Sequence, residues 1–471
     1  MDEPVTPTLA EPMAGDATPV QPEIEKVNWV RRLWRRAHGV SPFASNVGLT
    51  IGSNVVIALS GLATGPICAR LLGPTGRGQL AAIQNLYWFV GTVGLLGLAD
   101  ATLYFTAQKK EDSGRILASA LVLVLLLSPL FFVVFFYLAP LLLAAQGADL
   151  VNTARWFLLG IPLYALCIIP QFTLRGFNDI ARWNLLRLAP TLGWLVLLIG
   201  LGIHSKTTPR VVAFGYLAAL AAALIPTFFV VRKRISDFRT EPKYWWPMLQ
   251  YGIPVALASI PVALNFRLDQ IVMAALLPAR SLGIYVVGVS WSWAVPTALH
   301  AIGTVLFPRL ANAEVADRGR LLAQGTRTSL FVAVLVVAAF AALAPVGIPL
   351  LFGKAFSESV AVGVVLVFAA GILGMNTVFE EGLRGIGATK TVLWGEMAGL
   401  LVTVVSLALL LRPLGIMGAG IASVLGYSAT ALVVLLGICK KIDHSPREVL
   451  LIKGEDVKLF KTRILALRAQ L

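Results

Sequence analysis

The chain has 471 residues, 57% of them hydrophobic and 13% charged, with a mean hydropathy of +0.80. This mix excludes a soluble multidomain protein and points to a polytopic membrane protein whose length is taken up by spans of about 20 residues. The net charge of +15 would suit nucleic acid, but the basic residues are scattered between apolar runs, so no nucleic-acid partner is expected and membrane topology accounts for them.

Residues 1–40 read as a cytoplasmic tail with no apolar signal segment. Its first 25 residues are rich in Pro, Thr, Glu and Ala and are expected to be disordered, and 27–36 places aromatic and basic residues at the spacing of an interfacial helix. Twelve apolar helices follow, near 45–71, 78–107, 115–144, 151–175, 181–203, 209–231, 245–277, 281–308, 321–344, 356–380, 388–411 and 416–440. A basic hinge, 232–244, separates a first half, 41–231, from a second, 245–440. Residues 441–471 form a cytoplasmic amphipathic tail, with Val457, Phe460, Ile464, Leu467 and Leu471 along one face. The expected architecture is an all-α membrane protein of about 12 transmembrane helices in two six-helix halves around a central cavity.

With the N-terminus inside, the inner loops hold 16 Lys and Arg and the outer connections 8, Arg77 among the latter. This bias places both termini in the cytoplasm. The chain also repeats itself. TLRGF at 173–177 matches GLRGI at 382–386, and LLGP followed by Gly78 parallels LLP followed by Gly283. With six helices per half, the halves run in the same direction and commonly enclose a substrate path.

Catalytic and metal signatures are missing from the sequence. There is no GxxxxGK[ST] phosphate loop, the four histidines form no ligand pattern, and Cys68, Cys167 and Cys439 fall in or beside apolar runs, so no cofactor, metal or disulfide framework is expected. The short outer connections leave no platform for an active site, so a transporter is expected rather than an enzyme. What remains is charge within spans. Only Arg187 and Arg267 lie outside the loops and tails, and each either faces a cavity or snorkels to headgroups. Arg267 and Asp269, two apart, cannot share a helix face, whereas Asn265 and Asp269 can. Asp100, Glu380, Glu381 and Glu396 do not serve topology; together with Asp269 they are candidates for ion coupling or for pairing with arginine. Trp291, Trp293 and His300 are candidates to contact sugar, and Pro254 and Pro261 to bend the seventh span.

ARLLGPTGRGQLAAI (69–83), LGLADATLYF (96–105), TLRGFNDIARWNLLR (173–187) and the seventh-span NFRLDQIVMAALLPARSLGIYVVG together resemble the polysaccharide-transporter oligosaccharide flippases of the multidrug/oligosaccharidyl-lipid/polysaccharide exporter superfamily. The resemblance covers about 41–440 and implies a bacterial inner-membrane protein that moves an undecaprenyl-diphosphate-linked oligosaccharide to the outer leaflet. The glycan headgroup would pass between the halves while the polyprenyl tail stays among membrane lipids, with a polysaccharide polymerase or other glycan-assembly proteins as partners. Arg187 and Arg267, with Asn265, Trp291, Trp293 and His300, would then line the path of diphosphate and glycan. The same resemblance leaves open a cation-coupled multidrug antiporter, and a membrane enzyme or scaffold of glycan assembly stands as the non-transport reading.

Overall fold

The computed structural model describes residues 42–203, 207–442 and 445–451. The expected interfacial helix at 27–36, the amphipathic face at 457–471 and His38, His204 and His444 lie outside them. The chain divides into two compact units. In the first, Met1–Gly48, residues 42–48 are helical. The second, Leu49–Leu471, holds everything that follows.

Among the described residues there is no strand, and ten helices are long and apolar enough to cross a membrane. Two of these, Asn46–Gly94 and Thr389–Ile442, contain a glycine with positive φ, Gly73 (64°) and Gly415 (55°), at which one helix ends and another begins. Divided there, the segments give the twelve expected spans. In the second unit they are α1 (49–72), α2 (74–94) continued by α3 (Leu98–Gln108), α4 (Ser113–Leu142), α5 (Ala148–Phe157) continued by α6 (Gly160–Gly176), α7 (Ile180–Ile203) and α8 (Pro209–Arg232). The second half repeats the plan with α9 (Trp245–Asn265) continued by α10 (Leu268–Leu276), α11 (Ala279–Ser292) continued by α12 (Ala294–Asn312), α13 (Val315–Phe352), α14 (Ser359–Gly385), α15 (389–414) and α16 (416–442). A short α17 (Pro446–Leu450) follows, closed at its start by a Ser445–Glu448 capping box.

The internal repeat is visible in the backbone. After α6, Asn178 is left-handed (φ 58°), Asp179 N donates to Leu174 O at 2.9 Å and Asn178 N to Arg175 O at 2.8 Å. After α14, Gly387 is left-handed (φ 79°), Ala388 N donates to Leu383 O at 2.8 Å and Gly387 N to Arg384 O at 3.1 Å. Both are Schellman caps at corresponding positions of the TLRGF and GLRGI repeats. The second sequence repeat meets itself. A Cβ built on Gly78 would lie 1.7 Å from Ala279 O, and one on Gly283 would lie 1.9 Å from Pro74 O. The contacts are reciprocal, so α2 and α11 cross backbone to backbone at equivalent places in the two halves. Nearby ties join the same end of the bundle: Arg70 donates to the Leu350 and Leu351 carbonyls at the end of α13, and Gln146 Nε2 to Ala274 O at 2.9 Å.

At the opposite end, α3 packs on α9 and Tyr104 stacks on Tyr251 with centroids 4.4 Å apart. The break between α2 and α3, with Leu96 and Gly97 both at positive φ, lets the chain approach Gly252, whose carbonyl would lie 2.1 Å from a Cβ on Gly97. The segment between the halves, read from sequence as a basic hinge, is held through its acidic residues. Asp237 and Glu241 both pair with Arg115 of α4 at 3.0 Å, and Tyr244 donates to Asp112 at 2.6 Å. Pro254 and Pro261 leave α9 continuous; the helix is interrupted at Phe266–Arg267 instead, because a proline deletes one ladder bond and packing against α3 and the 389–442 helices preserves the rest.

The crossing yields a prediction. Gly283→Ala should lower stability in detergent by about 1–3 kcal/mol, read as a lower melting midpoint, because a methyl group must displace backbone. Gly61→Ala, with nothing within 4 Å of its Cβ, should leave the midpoint unchanged or slightly raised.

Candidate functional site

Arg267 occupies the break between α9 and α10, outside regular helix (φ −141°). Its guanidinium donates to Asn85 Oδ1 and Gln270 Oε1, both at 3.3 Å, and lies 5.8 Å from the Trp88 ring centroid. Asn85 and Gln270 are themselves bonded across the halves at 3.1 Å. These groups face a cavity of about 190 Å³ whose lining also includes Arg77, Gln84, Tyr87, Tyr164 and Tyr216. The sequence places Arg77 in an outer connection; the single-residue turn at Gly73 is too short for that, and Arg77 falls on the first turn of α2, one residue before the Gly78 crossing. Its Nε is buried and makes no hydrogen bond. Among the described residues neither Arg77 nor Arg267 has a carboxylate within ion-pair distance, and no acidic residue lines the cavity. Two half-buried arginines, one from each half, thus face the cavity without an ion pair, which costs free energy in the empty protein. Asp269 lies close enough to offset part of the Arg267 charge, whereas no described carboxylate stands near Arg77.

Asp269 lies on the other side of the same break. It accepts from Tyr285 OH and from Gln270 N at 2.7 Å, with Ser423 Oγ at 3.5 Å. Asn265 also turns toward the 416–442 helix: Tyr427 OH donates to its carbonyl at 3.1 Å and its Nδ2 donates to Glu396 Oε2 at 2.6 Å. The polar stripe expected from the Asn265–Asp269 spacing therefore faces α11, α15 and α16, and Arg267 alone of the trio turns to the cavity. Around Asn265 a second polar cluster forms. Glu380 sits opposite the Glu396 carboxyl and pairs with Arg384 at 3.1 Å, Glu381 pairs with Arg384 at 2.9 Å, and Asn376 donates to Tyr427 O at 2.9 Å. The side-chain oxygens of Asn265 and Asn376 are buried without a donor.

Other candidates lie apart from the cavity. Arg187 donates to Asn54 at 2.9 Å and Asn184 at 3.3 Å and stacks on Trp183 at 4.5 Å, between α1 and α7. Trp291 is packed inside the second half, its Nε1 donating to Phe340 O at 3.1 Å, while Trp293 and His300 are exposed. Asp100 is half-buried on α3. The tyrosines of the cavity wall carried no signal in the sequence, where each reads as ordinary apolar filling; Arg77 did, since it sits in the repeat that brings the halves together.

A family profile described as polysaccharide biosynthesis protein matches residues 43–314. The chain belongs to that family. It is 23% identical over 362 residues to the succinoglycan biosynthesis transport protein ExoT of Rhizobium meliloti, covering 74% of this chain and 70% of that one. It is 22% identical over 404 residues to the uncharacterized membrane protein MJ1375 of Methanocaldococcus jannaschii, covering 80% and 93%. Among solved structures, the lipid II flippase MurJ in an inward closed conformation superposes with a TM-score of 0.73 at 14% identity, over 89% of this chain and 92% of that one. An inward-facing multidrug resistance MATE family transporter of the MOP superfamily superposes with a TM-score of 0.59 at 17% identity, over 84% and 94%. The fold is the one these solved structures share, and the chain is an all-α, multi-pass membrane protein of the polysaccharide biosynthesis family.

The contrast between the two charged sites is measurable. Arg77→Met should raise the melting midpoint of the ligand-free protein, by roughly 1 kcal/mol or more, because it removes a cation that nothing neutralises. Tyr285→Phe should lower it, by about 1–3 kcal/mol, because it strips a donor from buried Asp269. Thermal melts in one detergent compare the two.

Proposed function

We propose that the chain flips an undecaprenyl-diphosphate-linked oligosaccharide from the cytoplasmic to the outer leaflet of a bacterial inner membrane, for surface polysaccharide biosynthesis. The observation that carries this reading is the pairing of Arg77 and Arg267, one from each half, across a cavity whose lining has no carboxylate. A diphosphate presents oxygens on two adjacent phosphorus atoms, and a guanidinium fork matches each of them with two parallel hydrogen bonds. The anion supplies the counter-charge that the empty cavity lacks, so its binding draws the halves together around it, and its release on the far side lets them part. The polyprenyl tail needs no protein site, because it stays in lipid. A cavity for cationic drugs would require carboxylates where these arginines stand, which disfavours the antiporter reading. The excess of Lys and Arg on one side favours cytoplasmic termini.

The cluster of Glu380, Glu396, Asn265 and Asn376 supports a second component, a coupling-cation site taking a proton or sodium. Its two orphaned amide oxygens are acceptors that a cation satisfies. Asp100, Arg187 and the sugar-contacting roles of Trp291, Trp293 and His300 gain no support from this placement.

In proteoliposomes containing lipid-linked oligosaccharide, Arg77→Ala and Arg267→Ala should each slow flipping at least tenfold with folded protein present at the wild-type level, since losing one arm of a desolvated charge contact costs about 2–5 kcal/mol. Wild-type rates in both variants would refute the diphosphate site. Glu380→Gln should abolish the response of flipping to an imposed proton or sodium gradient while leaving substrate binding intact; an unchanged gradient response removes the coupling assignment.

A further inference from the structure

A second cavity, of about 210 Å³, is built by the first half and the linker after α8, and it shares no lining residue with the cavity between the halves. Leu117 of α4, Pro170 of α6 and Thr227 of α8 line it and are buried. Ile235 and Phe238 of the linker close one side. Phe228, Arg232 and Phe238 are exposed, so the groove opens outward from the bundle. Its lining is hydrocarbon but for two side chains. The Thr227 hydroxyl is spent on Ala223 O at 2.8 Å. That leaves Arg232, the last residue of α8, whose guanidinium donates among the described residues only to Ile235 O at 3.4 Å.

The charges around this rim are unevenly matched. Asp179 is taken by Arg182 and Arg234, Asp237 by Arg115 and Arg239, and Glu241 by Arg115 and Lys243. Among the described residues no carboxylate pairs with Arg232 or with its exposed neighbour Lys233. In a bilayer an outward-facing apolar groove takes up acyl chain, because a void forfeits dispersion contacts along its whole lining. A chain gains little by exchanging bulk lipid for such a groove, since both are apolar, so the headgroup decides which lipid stays. Here the headgroup meets two unmatched cations.

We propose that the groove binds an anionic phospholipid of the leaflet adjoining the linker, with one acyl chain over Leu117 and Thr227 and the phosphate on Arg232 and Lys233. Two cations at a membrane surface favour an anionic over a zwitterionic headgroup by roughly ten- to thirtyfold. Because Ile235 and Phe238 belong to the linker, the chain lies between the linker and the first half and adds an apolar contact to the ion pairs that fasten the two. The lipid is resident, and its site is independent of what the chain transports.

The test is native mass spectrometry of the purified full-length chain in detergent, titrated with dioleoyl phosphatidylglycerol or dioleoyl phosphatidylcholine and read for the first lipid bound. Wild-type protein should bind phosphatidylglycerol about tenfold more tightly than phosphatidylcholine. Arg232→Gln combined with Lys233→Gln should bring the two lipids within twofold of each other. Lys109→Gln combined with Lys110→Gln, the same charge change on the turn before α4, should keep the preference. Leu121→Trp and Leu224→Trp each place an indole in the groove and should weaken phosphatidylglycerol severalfold; either variant that melts like wild type serves. The site is overturned if wild-type protein shows no preference, if the Arg232 and Lys233 variant retains it, if the Lys109 and Lys110 variant loses it as well, or if the tryptophan variants bind phosphatidylglycerol as wild type does.

Discussion

The crossing of α2 and α11 at Gly78 and Gly283 is the contact on which the rest of the bundle depends. Helices in lipid gain little from burying apolar surface against one another, so close backbone approach is their main means of association, and it needs residues without side chains at the contact. Here two equivalent glycines of a duplicated chain provide it reciprocally, each lying against a carbonyl of the opposite helix. The same crossing fixes what lies beneath it. Arg77 precedes Gly78 by one residue and is therefore committed to the interior of the bundle, on the wall that Arg267 faces from the other half.

That arrangement is poor for stability. Two half-buried arginines are bonded only to neutral amides, or to nothing, and no carboxylate lines the cavity they face. The second half shows the alternative solution close by. Asp269 is surrounded by hydroxyl and amide donors, and Glu380 has Arg384. Charges that hold the fold are saturated with partners, and those facing the cavity are not. The distinction separates residues that the sequence presents as equals, Arg267 and Asp269 being two positions apart.

Motion between the halves needs a connection that neither stretches nor swings freely. The linker after α8 is clasped to α4 by Arg115, which meets Asp237 and Glu241, while Tyr244 reaches Asp112. These contacts fasten it to the first half as far as the start of α9. The helices themselves are interrupted at Leu95–Gly97 and Phe266–Arg267, where Leu96, Gly97 and Arg267 depart from regular helix, and such breaks are where a helix bends most readily. Arg267 lies in one of these breaks.

From the sequence alone, hydrophobic run lengths determined the all-helical fold and its twelve spans, since a bilayer admits few other structures. Short repeats determined the duplication, and the cost of charge in lipid marked Arg267. The tertiary structure decided which residues meet. Spans that are apolar on every side carry no periodic pattern to distinguish the face toward a cavity from the face toward lipid or a neighbouring helix. For that reason the sequence leaves Trp291 open between sugar contact, lipid and core, and does not mark Tyr164 and Tyr216 as cavity-lining. Arg77 was hidden differently: its glycine- and proline-rich surroundings read as loop, and only the one-residue turn at Gly73, closed by packing against a helix about 200 residues away, places it on a span.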